Sequence, residues 1–353
     1  MAQGVWIRWT FIGLGLWVAG ACSDSAADRV PFAGRGGAAG SGNGGGGGGG
    51  GAAGEVEEIG PANGDRCLTP PCIAPHLPVQ PEVPLLADAG DGWQRLIEAD
   101  WELAPGSEGY RCVRRTLSQD VFVTAFSPLL PGGTHHTVLV VASHPDAPDG
   151  VTVCSVGTNG ERRLQGAGAG TPSASLPEGV AMKIGKGEQL LMNLHLFNPG
   201  DQPLRGTSGM RVNTVAAPDV KFQAEVVLAG PLGLSIPRGH VVQRGSCTFG
   251  SDVTVFSVGP HMHQLGVHAK LTAHSSIDGE RVLHDAAYDF THQLVYQVEP
   301  IKLAKGDKID IECTYENTTD RTVTWGDSTL DEMCFAGVGL YPAMSRGAGP
   351  CTN

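Results

Sequence analysis

The chain has 353 residues, a hydrophobic fraction of 41% and a charged fraction of 17%, which suits a globular protein of two ordinary domains or one large domain with tails. Its formal net charge of -12 lacks the Lys/Arg footprint that displaces counterions from nucleic acid, which argues against a nucleic-acid partner. The 52 glycines far exceed ordinary usage, so part of the chain is low-complexity.

At the N-terminus, Arg8 supplies a modest positive charge before the apolar run Trp9 to Ala21. That run is too short to span a bilayer once its glycines are allowed for. It ends in Ala19-Gly20-Ala21-Cys22 and reads as a secretory signal over residues 1–22. The segment resembles a bacterial lipobox, which implies lipidation at Cys22 and a membrane held by that lipid alone, on the periplasmic or cell-surface side. The pattern prefers Leu where Ala19 stands, and the alternative is a plain signal peptide with an incidental cysteine. There are nine cysteines, and removing Cys22 leaves an even number in an exported chain, which suits four disulfides without fixing their pairing.

Residues 23–85 read as a tether and lead-in. From Ala33 to Gly54 nearly every residue is Gly or Ala, with unbroken glycine from Gly44 to Gly51, so there is no side chain to bury. As a flexible coil this stretch spans roughly 25 Å, enough to hold a folded domain clear of a lipid surface. The Pro-rich segment Glu55 to Pro84 contains Cys67 and Cys72 in CLTPPC. A metal-binding CxxxxC is one reading; the two prolines and an oxidising compartment favour a local disulfide.

From Trp93 onward, short apolar or alternating runs rich in Val, Leu and Thr recur between Gly, Pro, Asp and Asn. Strands are predicted over Val121–Phe126, Thr137–Ala142, Gln189–Phe197, Lys221–Leu228, Asp252–Val258, Val267–Ala273, Lys308–Tyr315 and Ala336–Tyr341. No long stretch shows a 3.6-residue apolar period. The expected fold class is all-β, with two tandem jelly-roll-like β-sandwich domains over 86–215 and 216–353, divided near Val215–Pro218.

Five of the histidines stand in constellations; of the others, His76, His144, His240, His268, His274, His284 and His292, most read as surface or loop residues. His261 and His263 form an H-x-H directly after a predicted strand. Residues i and i+2 of a strand share a face, so both imidazoles can converge on one metal, or simply face solvent. His135 and His136 follow Pro131-Gly132-Gly133. Adjacent strand residues face opposite ways, so a shared metal requires an irregular backbone there, which that turn supplies. His195 lies in the apolar run LLMNLHLFN and is expected neutral, as a hydrogen-bonded core residue or as a ligand. Met333, in DEMC, alone reads as core filler.

Taken in order, His135-His136, then His195, then His261-Met262-His263-Gln264-Leu265-Gly266, then Asp331-Glu332-Met333-Cys334, the chain resembles the copper type II, ascorbate-dependent monooxygenases over about Trp93 to Cys351. The resemblance implies two coppers per chain. One would be held by His135, His136 and His195 and would store and deliver an electron. The other, held by His261, His263 and Met333, would bind and activate dioxygen and form the catalytic centre. Imidazole suits both oxidation states of copper, and the soft thioether favours Cu(I) over the competing zinc. It further implies disulfides Cys313–Cys334 and Cys247–Cys351, with Cys112–Cys154 in the first half; Cys67 and Cys72 precede the resemblance and are left to each other. The implied activity is hydroxylation of a C–H bond of a small-molecule substrate by dioxygen, with two electrons from ascorbate or another reductant. Peptide-amidating members carry an Arg shortly before the H-x-H and a Tyr shortly after the Met motif. Here those places hold Ser257-Val258-Gly259-Pro260 and Phe335-Ala336-Gly337, so a peptide carboxylate would lack its clamp. Competing readings are a copper-sequestering lipoprotein without turnover and a cell-surface adhesion sandwich with incidental histidines.

Overall fold

The structure is a computed structural model and describes residues 65–67, 75–142, 144–155, 162–231, 233–290, 292–326 and 330–344. Among these the fold is all-β, and the only helical turn is the 3-10 segment Ala217–Asp219. The alternation that marks the strands in sequence is the alternation of burial. In Lys308–Asn317, Ile309, Ile311, Cys313 and Tyr315 are buried while Asp310, Glu312 and Thr314 between them are more exposed.

In the first half one sheet runs Arg66–Cys67, Ser107–Thr116, Gln189–Asn198, Thr134–Ala142, Arg162–Gly168, with Gly150–Cys154 also on Ser107–Thr116. A second sheet is built from Val180–Ile184, Val121–Leu129, Leu204–Thr214, Trp93–Leu103 and Ala87–Gly90. Between them lies a core of Leu96, Trp101, Phe126, Leu139, Leu190, Met192 and Leu194 with their neighbours. In the second half, Glu225–Ala229, Phe335–Tyr341, Val253–His261 and Tyr296–Leu303 form one sheet; Gly239–Thr248, Lys308–Asn317, Gly266–Ser275 and Gly279–Ala287 form another. A separate core there includes Phe249, Val255, Leu271, Ile311 and Tyr315.

Two details differ from the predicted strands. The run Lys221–Leu228 is not one strand. Phe222–Gln223 pairs in parallel with Val180–Ile184 of the first half, whereas Glu225–Ala229 pairs with Phe335–Tyr341. The chain changes sheets at Ala224, which packs into the first core together with Phe256. The strand predicted to end at Val258 continues to His261.

Residues 65–67 of the lead-in join the first half. Arg66–Cys67 pairs with Ser107–Glu108. Asp65 makes a bidentate ion pair with Arg111, and both residues are buried. Gly109 permits this, because a Cβ there would collide with the Asp65 side chain.

The disulfides Cys112–Cys154 and Cys313–Cys334 are formed, with sequence separations of 42 and 21. Loops of that size contribute about 3–4 kcal/mol each by constraining the unfolded chain. Cys247 is disulfide-bonded. Cys22, Cys72 and Cys351 lie outside the described residues, and for Cys67 only the backbone is described.

Candidate metal centres

Gln189–Asn198 is buried on both faces. Leu190, Met192, Leu194 and Leu196 enter the first core. By the two-residue period, Leu191, Asn193 and His195 face the other way. His195 pairs with Tyr110 on one neighbouring strand and with His136 on the other. A regular strand would then send His135 to the opposite face. Instead the register steps from His195–His136 to Leu196–Thr134, so His135 is the extra residue of a bulge. The irregularity that a shared metal demands therefore lies at the histidine pair itself. It is prepared by a turn in which Thr134 N–H donates to Pro131 O at 3.0 Å. Gly133 in that turn has φ +98, and a Cβ there would lie 2.7 Å from the Trp101 ring.

The result is a three-imidazole cluster. Nδ1 of His135 and Nδ1 of His136 are 2.9 Å apart, and one nitrogen from each of His135, His136 and His195 falls within 4.8 Å of the others. Burial pushes His135 down to about 4 and His136 well below the ordinary imidazole range, and the neighbouring His195 lowers both further. The His135 and His136 rings are thus neutral donors at physiological pH. His195 is stacked on Tyr110 at 4.5 Å, and its Nε2 lies 3.2 Å from Glu108 Oε1. Its Nδ1 is buried without a hydrogen-bond partner. Such an orphan costs about 1–3 kcal/mol, and a metal ion held by these nitrogens would satisfy it. The donor set fits copper.

The second group is built at the ends of two paired strands. His261 pairs with Phe335, so His263 and Met333, each two residues beyond, leave the sheet at the same end. Glu332, which is fully buried, joins the two segments: one carboxylate oxygen accepts from His263 N–H at 2.8 Å and the other from Leu265 N–H at 2.7 Å. Burial raises this carboxyl to about 7, against the backbone N–H groups of Leu265, His263 and Met333, which favour its charge. Tyr288 brackets Met262, accepting from its N–H at 3.1 Å and donating to its carbonyl at 2.7 Å. Tyr315 donates to the Met333 carbonyl at 2.6 Å.

These contacts also set the imidazole tautomers. His261 Nδ1 meets Gln293 Oε1 at 2.9 Å, and His263 Nδ1 meets the Asp331 carbonyl at 3.0 Å. A carbonyl oxygen only accepts, so each Nδ1 carries the hydrogen and the lone pair of each ring lies on Nε2. The two rings are 5.2 Å apart and nearly perpendicular. Burial pushes His261 down to about 3, with His263 lowering it further. Two imidazole Nε2 atoms, together with the thioether that the Met333 segment carries, are donors that suit copper, above all Cu(I).

Glu332 was visible only as part of the Met333 motif, and Glu108, Tyr110, Tyr288 and Gln293 carried no sequence signal, because pairing across many residues brings them in. Among the seven histidines outside the constellations, His284 is buried and packs on Tyr296 at 4.6 Å. Gly259 and Gly337 are direct cross-strand partners, so the two places read as lacking a carboxylate clamp face each other without a side chain.

The solved structure of infectious bursal disease virus Gx strain overlaps 75% of this chain and 77% of its own at 10% identity. Its TM-score of 0.20 carries no argument. A sequence model described as "Copper type II ascorbate-dependent monooxygenase, C-terminal domain" matches residues 233–351, about a third of the chain. That span includes His261, His263 and Met333 and stops short of the three-imidazole cluster. Residues 233–351 are thus similar in sequence to the C-terminal domain of the copper type II ascorbate-dependent monooxygenases.

Proposed function

We propose that the protein is a copper-dependent monooxygenase that hydroxylates a C–H bond of a small molecule. The observation that carries this reading is the pairing of two different donor sets in one molecule: three converging imidazoles, one with an orphan buried Nδ1, and an H-x-H within the family-matched span whose two rings are held in the Nδ1–H tautomer at the strand end shared with the Met333 segment. Copper bound there would supply the redox chemistry, one atom of dioxygen entering the C–H bond and the other leaving as water, with two electrons drawn from ascorbate or a similar reductant. The protein's own part is positional. His135 and His136 offer nitrogens that stay unprotonated because burial opposes the imidazolium, and His195 brings a third nitrogen to the same point. His261 and His263 are held in one tautomer by Gln293 and the Asp331 carbonyl, and Glu332 fixes the H-x-H backbone to the Met333 segment. The facing Gly259 and Gly337 support a substrate that brings no carboxylate for an Arg or Tyr to clamp.

Export and anchoring through Cys22 belong to the same proposal. They are supported by the N-terminal apolar run and glycine tether, and by formed disulfides, which persist in oxidising compartments. The test is oxygen consumption by copper-loaded protein with ascorbate across small aromatic and amide substrates. Substrate-dependent uptake abolished by His263→Ala is expected. Copper binding with no turnover on any substrate would overturn the enzyme reading in favour of metal sequestration.

A further inference from the structure

One residue outside both donor sets touches both. The Phe290 ring lies 5.2 Å from the His135 ring and 6.4 Å from the His263 ring, within the range of aromatic contact on each side. His135 belongs to the first half, and His263 and Phe290 to the second. The two groups of imidazoles are therefore one side chain apart at this point.

Phe290 is held there from several directions. Tyr288, two residues before it, is locked to the Met262 backbone inside the H-x-H. Gln293 donates from Nε2 to the Phe290 carbonyl at 3.2 Å while its Oε1 serves His261 Nδ1. The Gln293 backbone is seated against Gly168 of the first half so closely that a Cβ on Gly168 would lie 2.9 Å from Gln293 N. Gly168 is paired with His136, and the next residue, Ala169, donates its N–H to the His135 carbonyl at 3.1 Å. A short path of contacts thus runs from His261 through Gln293 to the strand end that carries His135 and His136.

We propose that Phe290 is a positioning residue that spaces the two histidine groups and closes the gap between them to water, with Gln293 seated on Gly168 as its latch. The inference rests on the two-centre reading above for its functional meaning, but the spacer is a property of the metal-free protein. A ring between the centres keeps the medium of low polarity where electrons would cross, and it fixes their separation at a point distant in sequence from the Phe222–Gln223 strand pairing that also joins the halves.

The test uses the purified chain before and after copper loading. In the metal-free protein, carbethoxylation of individual histidines by diethyl pyrocarbonate is followed by mass spectrometry. Phe290→Ala is expected to raise the rates at His135 and His263 together by at least about threefold, as local opening exposes them, with exposed His240 unchanged as the internal reference. Phe290→Tyr should restore the wild-type rates. Gly168→Ala, whose added Cβ would meet the Gln293 backbone first, should raise the same two rates by displacing Gln293, and it decides the matter alone if Phe290→Ala does not fold. In the Cu(II)-loaded protein, Phe290→Ala should alter the dipolar coupling between the two ions in the electron paramagnetic resonance spectrum. Unchanged rates at His135 and His263, or an equal rise at His240, overturns the spacer. Failure of the wild type to take up copper would sink the monooxygenase reading and leave the carbethoxylation result standing.

Discussion

Replacing Glu332 by Gln separates a residue that positions ligands from one that merely stabilises the fold. The carboxylate has two oxygens at work, one on His263 N–H and one on Leu265 N–H, and Gln keeps the shape but only one acceptor oxygen. The other N–H then faces an amide NH2, and a buried donor without an acceptor costs about 1–3 kcal/mol. Against this stands a relief. Burial has raised the Glu332 carboxyl from 4.5 to about 7, so holding it charged above neutrality costs about 3 kcal/mol, which the neutral amide does not incur. The two effects nearly cancel, and the unfolding free energy at pH 8 should change by less than about 2 kcal/mol. The local consequence does not cancel, because the lost bond falls on the backbone between His261 and Leu265. Cu(I) titration against a chromophoric competitor should show the His261/His263/Met333 centre weakened by about 10–100-fold, the usual effect of removing a partner behind a metal ligand. The three-imidazole centre should be unaffected. An unchanged second affinity, or equal weakening of both centres, would refute the positioning argument.

Three other outcomes follow from the structure. Met333→Ala should lower turnover far more than copper content, because two imidazoles can retain metal without the thioether; intact turnover would make Met333 core filler. Asp65→Ala leaves the Arg111 guanidinium buried and unpaired, and should cost about 3–5 kcal/mol in chemical denaturation; a change below about 1 kcal/mol would show that the ion pair is not formed. The metal-free protein should lose stability as pH falls from about 6.5 towards 4. His135 and His261 titrate at about 4 and about 3 when folded but near the ordinary value when unfolded, so the unfolded chain takes up protons first. A flat melting temperature over that interval would contradict their burial.

The strands and the candidate ligands were legible in the sequence for different reasons. Alternation such as that of Ile309, Ile311, Cys313 and Tyr315 reports a half-buried strand directly, and the ordered His and Met motifs carry their own spacing. The bulge at His135 could be required in sequence, from two adjacent residues having to face one way, but its position could not. Lys221–Leu228 misled because its apolar pattern is continuous while its hydrogen-bonding partners change at Ala224. What supports the ligands was not legible: Glu108 reaches His195 across 87 residues and Gln293 reaches His261 across 32. Such contacts depend on which strands pair, and a local period does not encode that. Asp65 was hidden for the opposite reason, since low-complexity sequence around it gives no hint that one carboxylate is buried against Arg111.

The account's central claim is two copper centres of unlike donor sets in one chain, and copper X-ray absorption on the Cu(I)-loaded protein tests it most directly. Two coppers per chain are expected, with a sulfur scatterer at about half occupancy per copper that disappears in Met333→Ala, and one copper per chain in His263→Ala. A protein that takes up zinc but no Cu(I), that loses both coppers together in His263→Ala, or that shows no sulfur ligand would contradict it.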